Sequence, residues 1–96
     1  MHGLIGKMVA VENQRDALIA ILVESTDAMP GCLSYVVAKD SEDPNGIWIT
    51  EIWDRKESHQ ASLSLPSVRA AISRAKPLIA GFATHVVTIP ISGVKA

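Results

Sequence analysis

Cys32 is the only cysteine in these 96 residues, so no internal disulfide can form and the fold does not depend on an oxidising compartment. Runs of lysine or arginine are absent and the formal net charge is -1. That balance excludes nucleic acid as the main partner, because phosphate binding needs a concentrated positive surface. Acidic blocks are missing as well. No apolar run approaches membrane-spanning length, and the opening residues, with His2 and Lys7 among them, lack the long apolar core and cleavage site of a secretory leader. The expected location is therefore the cytoplasm. There is no glycine-rich phosphate loop and no supported Ser-His-Asp arrangement, and the histidines, His2, His59 and His85, share no metal-ligand spacing. No metal and no cofactor are expected.

What is present is an apolar fraction of 48%, enough for one compact domain over residues 1–96 with neither repeat nor linker. A chain this short buries little surface on its own, and a self-associating sheet would relieve that. The densest stretch is Ile47 to Trp53, Ile-Trp-Ile-Thr-Glu-Ile-Trp. Period-two alternation sends Ile47, Ile49, Glu51 and Trp53 to one face and Trp48, Thr50 and Ile52 to the other. Both faces are mostly apolar, as in a central strand with cover on each side, and a carboxylate there needs a partner or a chemical role.

Around that strand the chain reads in order. Leu4 to Val11 opens as a strand. Asn13 is placed to cap a helix whose apolar stripe runs through Leu18, Ile21, Leu22, Ser25, Ala28 and Met29, with Arg15, Glu24 and Asp27 towards water and Pro30-Gly31 as terminator. Cys32 to Lys39 alternates as a strand with Leu33, Tyr35 and Val37 on one face, and Asn45-Gly46 suits a hairpin turn. Asp54-Arg55-Lys56-Glu57 resembles a capping signature for a short helix reaching about Leu63. A further helix starting at Pro66 carries Val68, Ile72, Ala75 and Ile79, with Pro77 as a kink or stop. Ala83 to Ile91 is the last strand. The order β-α-β-β-α-α-β predicts an α+β, ferredoxin-like split βαβ fold, an antiparallel sheet with helices on one face. The other face still carries apolar side chains, which predicts a homodimer.

The residues Pro30-Gly31-Cys32-Leu33-Ser34-Tyr35, Glu51-Ile52-Trp53 and Glu57-Ser58-His59-Gln60-Ala61-Ser62, followed by Ser64-Leu65-Pro66-Ser67-Val68, resemble the antibiotic biosynthesis monooxygenase family. That resemblance implies a dimeric α/β-barrel. It also implies a reaction among several found on such domains: oxidation of aromatic polyphenols without metal or flavin, isomerisation of small metabolites, haem degradation, or none. Family members usually place a histidine nine residues after the position of Trp53, where this chain has Ser62. His59, about one helical turn earlier, would reach the same space only if the helix rotated or frayed. The first strand has no asparagine, which weighs against the haem-degrading branch.

Candidate site residues follow from both readings. Glu51, desolvated on a central strand, could accept a proton near neutral pH, or could be paired by Lys7, Lys39 or an arginine of a second copy. Trp53 could stack on a planar substrate or belong to the core. Tyr35 could orient a phenolic oxygen, and Trp48 should pack into the dimer interface. His59 and His85 are acid or base candidates, each with a structural alternative as a solvated or core histidine. Ser62 is a candidate substrate contact, and Cys32 is read as packing. The leading expectation is a cofactor-independent monooxygenase acting on an electron-rich aromatic such as a quinol, with dioxygen. Alternatives are an isomerase or lyase of a small oxygenated metabolite, or a binding module without chemistry.

Overall fold

The computed structural model describes residues 1–24 and 29–93. The helix positions assigned to Ser25, Asp27 and Ala28 lie outside the described residues. In order the elements are β1 (His2–Ala10), α1 (Arg15–Glu24), β2 (Cys32–Lys39), β3 (Gly46–Trp53), α2 (Lys56–Ser62), α3 (Pro66–Ala75), a 3₁₀ turn (Lys76–Leu78) and β4 (Ile79–Thr88). The strands form one sheet in the order β2-β3-β1-β4, every neighbouring pair antiparallel. This is the ferredoxin-like α+β arrangement that the element order predicts, with β1 and β3 in the centre.

The pairing register sorts the faces. Met8 lies opposite Ile47, Gly6 opposite Ile49 and Leu4 opposite Glu51, while Val37 and Tyr35 on β2 meet Ile49 and Glu51 from the other side. These residues share the helix-covered face. Leu18 and Ile21 of α1 and Ala75 of α3 pack there on Ala10, Ile47 and Ile49. Leu18 and Ile47 are completely buried, and each contributes about 1.5–3 kcal/mol through the apolar surface it removes from water. The core thus occupies the end of the sheet where β1 finishes and β3 starts. The opposite end, around Glu51 and Trp53, is left to α2 and to a cavity.

Several local expectations are corrected. Asn13 has φ 66°, whereas a capping residue is extended. It serves instead as the left-handed residue of the turn in which Gln14 N donates to Val11 O at 2.9 Å. The residue before α2 is Arg55, and no side chain caps that helix, so Asp54 to Glu57 is not a capping box. Neither Asn45 nor Gly46 has positive φ, so the hairpin does not use an Asn-Gly turn. The loop is held by Asp40, whose Oδ1 accepts from the amides of Glu42 and Asp43 at 2.9 and 2.8 Å, and by Asp43, which accepts from the amide of Asn45 at 2.9 Å. Side-chain carboxylates replace the backbone geometry that an Asn-Gly pair would provide.

Leu33 falls at a register irregularity between Cys32 and Ser34 and is exposed, so Tyr35 and Val37 share their face with Cys32 instead. β4 starts at Ile79 because Ile79 pairs with Ala10, across two further register shifts. Ile79 therefore belongs to the sheet and not to α3, while Pro77 ends that helix in the 3₁₀ turn as expected. Pro90 cannot donate to a ladder, and β4 stops at Thr88, before it.

Candidate functional site

Between the helices and the Glu51 end of the sheet lies a cavity of about 550 Å³. Such a volume falls within the range of small-molecule sites, roughly 300–1,000 Å³. Its walls are mainly apolar, with Met8, Leu22, Val68, Ile72 and Phe82 prominent. Its polar groups include Lys76 and five residues singled out by sequence. Tyr35, Glu51, Trp53, His59 and Ser62 all line it.

β3 builds the centre. Glu51 and Trp53 are two residues apart and so lie on one face. Trp53, completely buried, donates from Nε1 to Glu51 Oε1 at 3.1 Å. Oε2 of Glu51 has no hydrogen-bond partner among the described residues. The two lysines that sequence reading offered to this carboxylate are engaged elsewhere. Lys7 Nζ lies 3.3 Å from Asp40 Oδ2 and 3.2 Å from Asp43 Oδ2, and Lys39 Nζ lies 3.2 Å from Asp16 Oδ1. Burial pushes the Glu51 carboxyl above its ordinary range, and the Trp53 hydrogen bond and the nearby His85 draw it only partly back.

Tyr35 is the cross-strand partner of Glu51. Its phenol is pushed well above its ordinary range by burial and by the adjacent Glu51 and Cys32. It therefore stays protonated at neutral pH and can donate a hydrogen bond, but it cannot serve as a base. The same surroundings, burial first and Glu51 second, raise the Cys32 thiol, which agrees with a packing role.

α2 presents His59 and Ser62 one turn apart. The His59 ring meets the Trp53 indole edge-on, with centroids 5.3 Å apart at 62°, and lies 6.1 Å from the His2 ring. No rotation or fraying of α2 is needed for His59 to reach the cavity. Burial, with His2 and His85 nearby, lowers its pKa below the ordinary value of 6.5, so the imidazole is neutral at pH 7 and able to accept a proton. Ser62 is buried and donates from Oγ to the His59 carbonyl at 2.6 Å. Its proton is committed within the helix, which leaves the hydroxyl oxygen as an acceptor.

His85 does not line this cavity. Paired with Gly6 on the exposed edge strand, it stands at a smaller neighbouring cavity of about 290 Å³ that also touches Glu51. Lys76 is a lining residue that sequence reading missed, and so is Phe82. Phe82 precedes the expected start of the strand, and only its pairing with Met8 places it on this face. Trp48 lies on the opposite sheet face, where Nε1 donates to Asp40 Oδ2 at 2.7 Å and Lys7 Nζ lies 5.9 Å from its ring centroid. Among the described residues, no group of three His, Cys, Asp or Glu side chains is placed to hold a metal ion, and no helix is long and apolar enough to cross a membrane.

Residues 1–74 match the profile of the family described as antibiotic biosynthesis monooxygenase. The chain belongs to that family. Within this monooxygenase family, a crystal structure of a provisionally named member from Chloroflexus aurantiacus J-10-fl is 63% identical, with a TM-score of 0.95 over 98% of this chain and 96% of that one. A provisionally named member from Deinococcus radiodurans is 27% identical, with a TM-score of 0.80 over 100% of this chain and 98% of that one. A Bacteroides thetaiotaomicron protein, 16% identical over 99% of this chain and 94% of that one with a TM-score of 0.85, shares the fold. No curated protein matches the chain. The monooxygenase profile stops within α3, so β4, with Phe82 and His85, lies beyond the matched residues.

Proposed function

We propose that this family member is a cofactor-independent monooxygenase that oxidises an electron-rich aromatic, such as a quinol, with dioxygen. The observation that carries the reading is Glu51: a half-buried carboxylate with one oxygen free of partners among the described residues, set in an apolar cavity beside Trp53, Tyr35 and a neutral His59. Glu51 or His59 takes the phenolic proton. Tyr35 donates to a ring oxygen, and Trp53 with the apolar walls holds the ring plane. The phenolate then gives one electron to dioxygen. The resulting radical pair, sheltered from water, joins at a ring carbon as a hydroperoxide, which loses water to leave a new carbonyl. One oxygen atom stays in the product and the other leaves as water, with all the electrons drawn from the substrate.

A cavity of about 550 Å³ has room for a bicyclic ring, which weighs against a binding module without chemistry. We further propose that the protein acts in the cytoplasm as a homodimer whose open sheet faces pack together. The test of the reaction is oxygen uptake with a panel of dihydroxynaphthalenes. Turnover that falls about a hundredfold in Glu51→Gln is expected, on the scale at which general bases contribute. Absence of turnover with every member of the panel, or equal turnover by the variant, would overturn the proposal. Turnover that needs no oxygen would point to an isomerase instead.

A further inference from the structure

β1 carries two glycines with different reasons. A Cβ on Gly3 would collide with Thr88 Oγ1 and lie 2.9 Å from Pro90 Cγ, so close packing explains that position. Gly6 has no such constraint. Its φ is not positive, and a Cβ there would meet only the Thr84 carbonyl oxygen, at an ordinary 3.6 Å. Glycine inside a central strand is destabilising relative to alanine, and nothing in the backbone requires it here. What it leaves is room. By register Gly6 lies opposite Ile49 and His85 on the helix-covered face, and it lines the cavity of about 290 Å³ with the apolar Leu4, Met8, Ile49 and Phe82, while Lys7, Thr84 and His85 complete the wall beside Glu51. Met8, Glu51 and Phe82 line both this cavity and the larger one. The two spaces therefore adjoin at the carboxylate.

Resting on the reading under Proposed function, we propose that Gly6 is a specificity-determining residue: it keeps open a second chamber that receives an apolar arm attached to the aromatic ring held beside Glu51 and Trp53. The ring binds in the larger chamber. The arm passes Met8 and Phe82 and lies over Gly6, against Leu4 and Ile49. The preferred substrate class is accordingly an alkyl-substituted quinol over the unsubstituted one.

The test compares hydroquinone with hexylhydroquinone, titrated anaerobically against tryptophan fluorescence, in the wild-type protein, Gly6→Val and Gly6→Ala. Valine suits a strand and projects into the chamber. In the wild type the hexyl arm is expected to tighten binding by about tenfold or more, given the apolar surface it buries. Gly6→Val should reduce that gain to roughly twofold while hydroquinone binds within about twofold of wild type, and Gly6→Ala should remove a smaller part. No gain in the wild type overturns the inference, as does a gain that survives in Gly6→Val, or in Gly6→Ala should the valine variant fail to fold. Oxygen uptake with the same compounds separates the two proposals. Loss of the arm's gain without turnover leaves the chamber standing and removes the reaction; turnover with an arm effect indifferent to Gly6 does the reverse.

Discussion

Glu51 sits where its charge is least welcome. Its folded-state pKa lies above the ordinary 4.5, with burial the leading cause, so above that value the unfolded chain ionises first and the folded chain holds the extra proton. Stability therefore falls as pH rises from 4.5 through the folded value, and stays lower beyond it. Glu51→Gln, which keeps the shape and removes the charge, is expected to unfold at a higher temperature than wild type at neutral pH and to lose that advantage below 4.5. Equal melting temperatures at both pH values would show that the carboxylate is solvated. Trp53 supplies a second handle, because its Nε1 donation favours the ionised form. Trp53→Phe keeps much of the ring and removes the donor, so the rising limb of the pH–activity profile should move to higher pH. A limb that stays in place would mean that another group takes the proton.

At the scale of elements, α2 is positioned by the turn before β2. Cys32 N donates to Met29 O at 3.1 Å, and Gly31, at φ 82°, follows Pro30 in the pattern of a type II turn. A Cβ on Gly31 would lie 2.6 Å from Ser58 Oγ and 2.7 Å from Asp54 Oδ1. Gly31→Ala therefore adds a left-handed alanine, about 1–2 kcal/mol, to a clash with α2. We expect a loss of about 2–3 kcal/mol in denaturant unfolding and a shifted His59 resonance, since Ser58 is its neighbour. Gly81→Ala, with nothing near its Cβ, should stay within about 0.5 kcal/mol. The same contrast between local and distant causes decides what could be read from sequence. The face of β3 that carries Glu51 and Trp53 was legible, because strand alternation is a property of adjacent residues. The reach of His59 was not, since it depends on where the turn at Gly31 sets α2. The fate of Lys7 was equally hidden: its partners Asp40 and Asp43 come from a distant loop. β4 was displaced in the reading because Ile79 and Phe82 owe their strand state to β1 and not to any local pattern.

For the molecule as a whole, the open question is the uncovered sheet face. Register places Val36, Thr50, Ile5 and Val86 in one row across all four strands, and Val36 and Val86 are 52% and 46% exposed. Three apolar side chains in a row, with Ile89 and Ile91 also exposed beyond β4, form the kind of surface that a second copy would cover. Val86→Asp distinguishes the possibilities, because an exposed aspartate on a monomer changes stability by no more than about 0.5 kcal/mol, whereas an unpaired charge buried at an interface costs several times that. The wild-type protein is expected to run as a dimer in sedimentation at micromolar concentration. Val86→Asp should run as a monomer, with a lower melting temperature that no longer depends on protein concentration. A wild-type monomer, or a variant that stays dimeric and melts normally, would rule this face out. The cavity lies on the opposite, helix-covered side of the sheet, so Val86→Asp should also keep its ligand binding. Loss of binding together with the dimer would mean that the partner helps to close the site, through Phe82, which is 73% exposed and lines the cavity from the edge strand.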